Sequence, residues 1–174
     1  MGAATIRELP STDADARVDE LVDLLLAVVA DGASINFLQD VTAAEARAFW
    51  QRELAGVATG GTTLLVAELD GAIAGTVMLV LAPQPNQQHR ADVAKMLVHP
   101  TVRRRGIGAA LLEAVEHLAP RRHRTLLMLD TEKDSAGERL YAPHGWIRYG
   151  EVPDHAHLPD GTPNATSFFY KSLA

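Results

Sequence analysis

The feature that most limits what this chain can fold into is the run Val93 to Leu112, where an apolar strand passes through a basic, glycine-bearing turn directly into an amphipathic helix. Arg103, Arg104 and Arg105 precede Gly106 and Gly108, and neither glycine has a Cβ to keep a ligand away from the backbone. The N–H groups of the first helical turn have no partner within the helix. An anion satisfies them. The helix dipole adds about half a positive charge at that end, and the arginines add full ones, so the pattern predicts a pyrophosphate cradle. The competing reading is a solvated basic face ahead of a tight turn. Two other phosphate loops do not fit: a dinucleotide fingerprint needs a third glycine where this chain has Leu111, and no Gly-x-x-x-x-Gly-Lys-Ser/Thr occurs.

A net charge of −6 makes the arginines a local anion site in an acidic protein. It argues against nucleic acid as a partner, because backbone phosphate contacts need an excess of Lys and Arg. At 174 residues, with 47% hydrophobic and 22% charged residues, the chain reads as one globular domain, 1–174. It has no cysteine, which excludes disulfides, a cysteine nucleophile and thiolate metal ligands. No basic segment followed by an apolar run opens the chain, and the longest apolar stretch, Leu24 to Ala30, is too short to span a bilayer. A cytoplasmic protein with no membrane partner is the expectation. His155-x-His157 places two imidazoles on one face of an extended segment, but no third ligand has zinc-like spacing, so no metal is expected.

Periodicity supplies the other elements. Ile6 to Leu9 reads as a strand, and Ser11 as the cap of a helix through about Ala30 with Val18, Leu21, Val22, Leu25 and Val29 on one face. Thr42 and Glu45 form a capping box for a second helix to about Val57, burying Ala46, Phe49, Trp50 and Leu54. The loop from Asp31 to Asp40 between them is unusually apolar, as pocket-lining loops often are. Thr63 to Leu69 and Ala72 to Leu81 flank Asp70-Gly71 as a hairpin. Arg90 to Val98 is the next strand, and a helix from Arg104 to Leu118 turns Ile107, Leu111, Leu112, Val115 and Leu118 to the sheet. Thr125 to Asp130 is a short buried strand, and Pro143 cuts short a helix from Ser135 to about Ala142. Trp146 to Val152 and Thr166 to Ser172 are the last strands, with a long loop between them.

Arg103-x-x-Gly106-x-Gly108 after its strand and Pro100, followed downstream by Leu140-Tyr141-x-x-x-Gly145-Trp146, resembles the coenzyme loop and acid-bearing helix end of the GCN5-related N-acetyltransferase (GNAT) family. The resemblance implies an α/β fold: a mixed, mostly antiparallel sheet flanked by helices, with strands four and five splayed like a V. It implies acetyl-coenzyme A as cosubstrate, held by Met96, Leu97, Val98, Arg103, Arg104, Arg105, Gly106, Ile107, Gly108, Ala109, Asp134, Ser135 and Tyr141. The pantetheine arm would pair with Leu97 and Val98, and a backbone N–H near Leu97 would polarise the thioester carbonyl.

By the same resemblance Tyr141 is the acid for the departing thiolate. Asp92 at the start of strand four and Asp130 at the end of strand five are the candidate bases, with Glu132 a third. Family members often carry Asn at the place of Asp134 and Ala at that of Gly137; Asp134 can still cap the helix, and Ser135 can reach the pantetheine arm. Three more segments, Asp31 to Phe37, Leu129 to Glu132 and Leu158 to Gly161, are similar to the tabtoxin-resistance branch of the family, which acetylates the amine of an amino-acid-like β-lactam toxin. The expected acceptor is a small-molecule amine, an amino-acid-like toxin or antibiotic among the candidates, and the expected state is a monomer or homodimer. The loop Asp154 to Asn164 is placed to cover the acceptor. The rival from another class is a non-catalytic module that binds acetyl-coenzyme A as a signal, which would need neither Tyr141 nor the carboxylates.

Overall fold

Asp70 and Gly71 both have positive φ (51° and 85°), the geometry of a tight two-residue hairpin turn, and they join Thr62–Leu69 (β2) to Ala72–Leu81 (β3). Around this hairpin the computed structural model, which describes residues 2–173, adds Thr5–Glu8 (β1), Arg90–Val98 (β4), Leu126–Glu132 (β5), Ile147–His157 (β6) and Pro163–Ser172 (β7). The seven strands form one sheet in the order β1-β2-β3-β4-β5-β7-β6, and β4 with β5 is its parallel pair. The mixed, mostly antiparallel sheet of the family fold is therefore present.

Helices cover both faces, which is why β2 is a continuous apolar run and not an alternating one. Leu64 and Val66 pack with Val18–Ala30 (α2) and Ala43–Ala58 (α3), while Leu65 and Ala67 pack against Ile107–Arg121 (α4). The capping box of α3 forms as expected, with Glu45 N–H donating to Thr42 Oγ1 at 3.2 Å and Thr42 N–H to Glu45 at 2.8 Å. Its buried residues are Ala46, Phe49, Trp50 and Leu54.

The structure corrects four boundaries. Ser11 is the first residue of a four-residue helix, Ser11–Ala14 (α1), and its side chain caps nothing. A 3-10 turn, Asp15–Arg17, then separates α1 from α2, and Arg17 leaves the helix line to pair with Glu20 at 2.6 Å and with Glu68. The helix after β4 begins at Ile107, since Gly106 at φ 79° is the left-handed residue before it. It runs on through Pro120 to Arg121, and the proline leaves the Glu116 carbonyl without a helical N–H donor. The helix expected from Ser135 is only Glu138–Tyr141 (α5), because Ser135 Oγ accepts from Glu138 N–H at 3.0 Å and closes the preceding turn itself. Asp134 therefore does not take the capping role. The long loop between the last strands is mostly β6–β7 ladder, with Ala156 opposite Asn164 and His157 opposite Pro163. Among the described residues no helix is long and apolar enough to cross a membrane.

Candidate active site

The site begins where β4 loses its neighbour. Arg90, Ala91 and Asp92 pair with Leu126, Leu127 and Met128, and beyond them β4 and β5 part, giving the expected V. Lys95 sits in a bulge at φ 48°, where the β3–β4 register shifts between Thr76 and Met78. Past the bulge, His99 N–H donates to Ala74 O at 2.9 Å and Leu97 faces Thr76, so Leu97 directs its own N–H toward β3. Strand alternation then turns the N–H groups of Met96 and Val98 into the splay. The Val98 carbonyl lies on that side as well, accepting from Arg103 Nε at 3.3 Å.

A groove of about 600 Å³ runs from this edge to the start of α4. Met96, Leu97, Val98, Arg103, Arg104, Gly106, Ile107, Gly108, Ala109, Ser135 and Tyr141 line it; Arg105 and Asp134 lie outside that lining. Among the described residues no side chain caps α4, whose N-cap is Gly106, so its first N–H groups face the groove open. A Cβ on Gly108 would stand 3.6 Å from Leu140 and 3.8 Å from Val98, on the groove floor. Arg103 is braced by an ion pair with Asp31 as well as by the Val98 carbonyl, so it ties the turn to the end of α2.

A second, smaller cleft of about 250 Å³ opens from the same splay. Lys95, Asp130, Glu132 and Tyr141 line it with Ser34, Asn36 and His155. Tyr141 borders both cavities. Its ring is buried against Trp146 and Phe169, with centroids 5.8 Å and 5.7 Å away, and its hydroxyl makes no hydrogen bond to a described residue. Burial, then the charge of Asp130, pushes its phenol up to about 12, so it stays protonated throughout the neutral range. The helix end that carries it is pinned from below. Trp146 Nε1 donates to Glu116 at 2.7 Å, and Lys171 Nζ bridges Glu116 at 2.6 Å and the His144 carbonyl at 2.7 Å.

The candidate carboxylates separate. Asp130 lines the smaller cleft with Tyr141. Asp92 lines neither cavity, because it belongs to the paired root of the V, half-buried and 3.7 Å from Arg90. Burial pushes its carboxyl above the usual range, against the pull of Arg90 and with a push from Asp130. Glu132 lines both cavities and accepts from Ser34 N–H at 3.1 Å. Residues 31–40 reach the β6–β7 tip through Ser34 Oγ to His157 O (3.1 Å) and Gln39 N–H to Pro159 O (2.9 Å), so two loops close one wall of the cleft. His155 lies in that wall with its ring edge-on to Phe168, and among the described residues no three His, Asp or Glu side chains converge to hold a metal.

Sequence reasoning missed Lys95 and Asn36. Both hold positive φ without being glycine, and only the folded backbone reveals that.

The model of the acetyltransferase (GNAT) family matches residues 29–146, which contain the splay, the basic turn, α4 and Tyr141. The chain belongs to that family. Among known proteins, a mycothiol acetyltransferase from Kineococcus radiotolerans is 38% identical over 94 residues, covering 53% of this chain; the chain spans 29% of that protein's length. A phosphinothricin acetyltransferase from Sinorhizobium meliloti, solved in complex with acetyl-coenzyme A, superposes with a TM-score of 0.82 at 16% identity, over 99% of this chain and 90% of that one. A ribosomal-protein-alanine N-acetyltransferase from Brucella melitensis gives 0.77 at 22% identity, over 97% and 99%. At such identities these two structures speak for the GNAT fold alone.

Proposed function

We propose that this GNAT protein is an acetyl-coenzyme A-dependent N-acetyltransferase for a small-molecule amine, working by direct transfer with a carboxylate base and a tyrosine acid. The observation that carries the proposal is Tyr141, a buried phenol bordering both the groove and the cleft, with no described partner for its hydroxyl. A tyrosine serving only the core would have its hydroxyl satisfied within the protein.

The groove suits the coenzyme chemically. Open N–H groups at the start of α4 match a pyrophosphate, and the unpaired edge at Met96 and Val98 matches an amide-bearing arm. When bound, acetyl-coenzyme A supplies an electrophilic thioester carbon and a thiolate able to leave. Met96 or Val98 N–H stabilises the developing oxyanion, where losing one donor typically costs roughly 10²-fold or more. Asp130 takes the proton of the incoming ammonium, directly or through water. Tyr141 donates its proton toward the departing sulfur; burial makes it a reluctant acid, better suited to a strong hydrogen bond during bond breaking than to forming free phenolate. The likeness of residues 31–37, 129–132 and 158–161 to the tabtoxin-resistance branch supports an amino-acid-like toxin or antibiotic as acceptor.

The test is a panel of small amines assayed with acetyl-coenzyme A, reading free thiol. Turnover of at least one amine is expected. Tight coenzyme binding with no turnover of any amine would favour the sensor reading.

A further inference from the structure

We propose that Lys95 forms an anion subsite in the acceptor cleft, so that the acceptor carries a carboxylate beside its amine. This deepens the acetyltransferase reading above and rests on it. Lys95 stands in the β4 bulge, and the turned backbone there sends its side chain toward α3 and the cleft wall. Its Nζ lies 5.3 Å from the centroid of the Phe49 ring, with the Ile35 carbonyl at a long 3.4 Å. Asp130 and Glu53 attract it through space, but among the described residues no carboxylate comes within ion-pair distance of it. An ammonium has three donors, and one distant carbonyl and an aromatic face leave it short of partners. Burial holds its pKa below the usual lysine range, the mark of a cation whose lost water has not been replaced by a counter-charge.

The opposite wall of the cleft is acidic. Asp130 and Glu132 stand on β5 across the splay from Lys95. A plain amine enters water-borne as a cation and meets Lys95 as a like charge. A zwitterion meets both walls with the right sign: its ammonium toward Asp130, where the proton must leave, and its carboxylate toward Lys95. The bulge thereby fixes which end of the acceptor approaches the thioester.

The experiment compares a panel of amino acids, each beside its carboxamide and its decarboxylated amine, by kcat/KM with wild-type protein and with Lys95→Met. Wild type is expected to favour the free acid by about tenfold or more, the scale of a charged hydrogen bond in a partly buried site, and Lys95→Met to erase most of that ratio. Lys95→Arg should retain more of it than Lys95→Met, and Lys95→Gln replaces the Met variant should that one misfold. A wild-type ratio near one, or a ratio unchanged in the neutral variants, overturns the subsite. If no member is acetylated, calorimetric titration of the same compounds into the coenzyme A-loaded protein decides: acid-selective binding lost in Lys95→Met upholds the subsite while the acetyltransferase reading falls, and binding without such selectivity, or none, overturns it.

Discussion

The groove and the cleft share a wall at Tyr141 yet are built from opposite materials. The groove presents backbone: open N–H groups at the start of α4, an unpaired strand edge, glycine where a side chain would intrude. The cleft presents side chains, Lys95, Asp130, Glu132 and His155, set on a bulge in β4, the end of β5 and the far end of β6. A backbone site recognises what every bearer of one ligand has in common and tolerates drift in sequence. A side-chain site recognises one acceptor and changes with single substitutions.

Gly108→Asp should break the first half of that contrast most forcefully. It places a negative charge on the groove floor, where a Cβ meets only ordinary contacts, so the fold should hold while coenzyme affinity falls by about 100-fold or more. Calorimetry reads it, and unchanged affinity means the pyrophosphate binds elsewhere. Tyr141→Phe should lower kcat by roughly 10²-fold with near-normal coenzyme affinity, since only the hydroxyl is removed from a ring that keeps its packing. Equal kcat in the two proteins would show that the sulfur leaves unaided.

Smaller effects separate the two aspartates. Asp130→Asn should cost more kcat/KM than Asp92→Asn, with the loss growing toward the acid limb of the profile; equal losses would mean that the root of the V shares the proton. Asp92→Asn should act on stability instead. Because burial raises the native carboxyl, the folded protein holds that proton to higher pH than the unfolded chain, and stability falls as pH rises through the native value. The Asn variant avoids that cost, so its melting temperature should exceed wild type at pH 7 and converge with it below about pH 4. A constant difference across that range would refute the burial account. Thr42→Ala, remote from both cavities, should cost about 1 kcal/mol of stability by losing the α3 cap and leave both binding steps alone. Any shift in acceptor KM would show that α3, through Phe49 beneath Lys95, sets the cleft.

The same contrast decides what the sequence discloses. The groove is nearly contiguous in the chain, strand, turn and helix within residues 93–112, so local glycine and charge patterns announce it. The capping box and the inward face of α3 follow one helical period and are equally legible. The cleft gathers residues 34, 95, 130 and 155 from four places, and its cation depends on a bulge that inverts which face of β4 each later residue occupies. For the same reason the backbone N–H groups near Leu97 that face the splay are those of Met96 and Val98 and not that of Leu97 itself. The prolines make the β6–β7 tip read as a loop, yet Pro159 alone stands in the turn; Pro153 lies on the edge strand β6, where its missing donor is tolerated, and Pro163 is the first residue of β7.

The three-residue pairing at the root of the V has a mechanical meaning. It is the seam between β1 to β4 and β5 to β7, where the sheet is continuous through three residue pairs alone. The seam is thus the place where the molecule should tear first, and anything lying along the groove grips both flaps and works as a rivet.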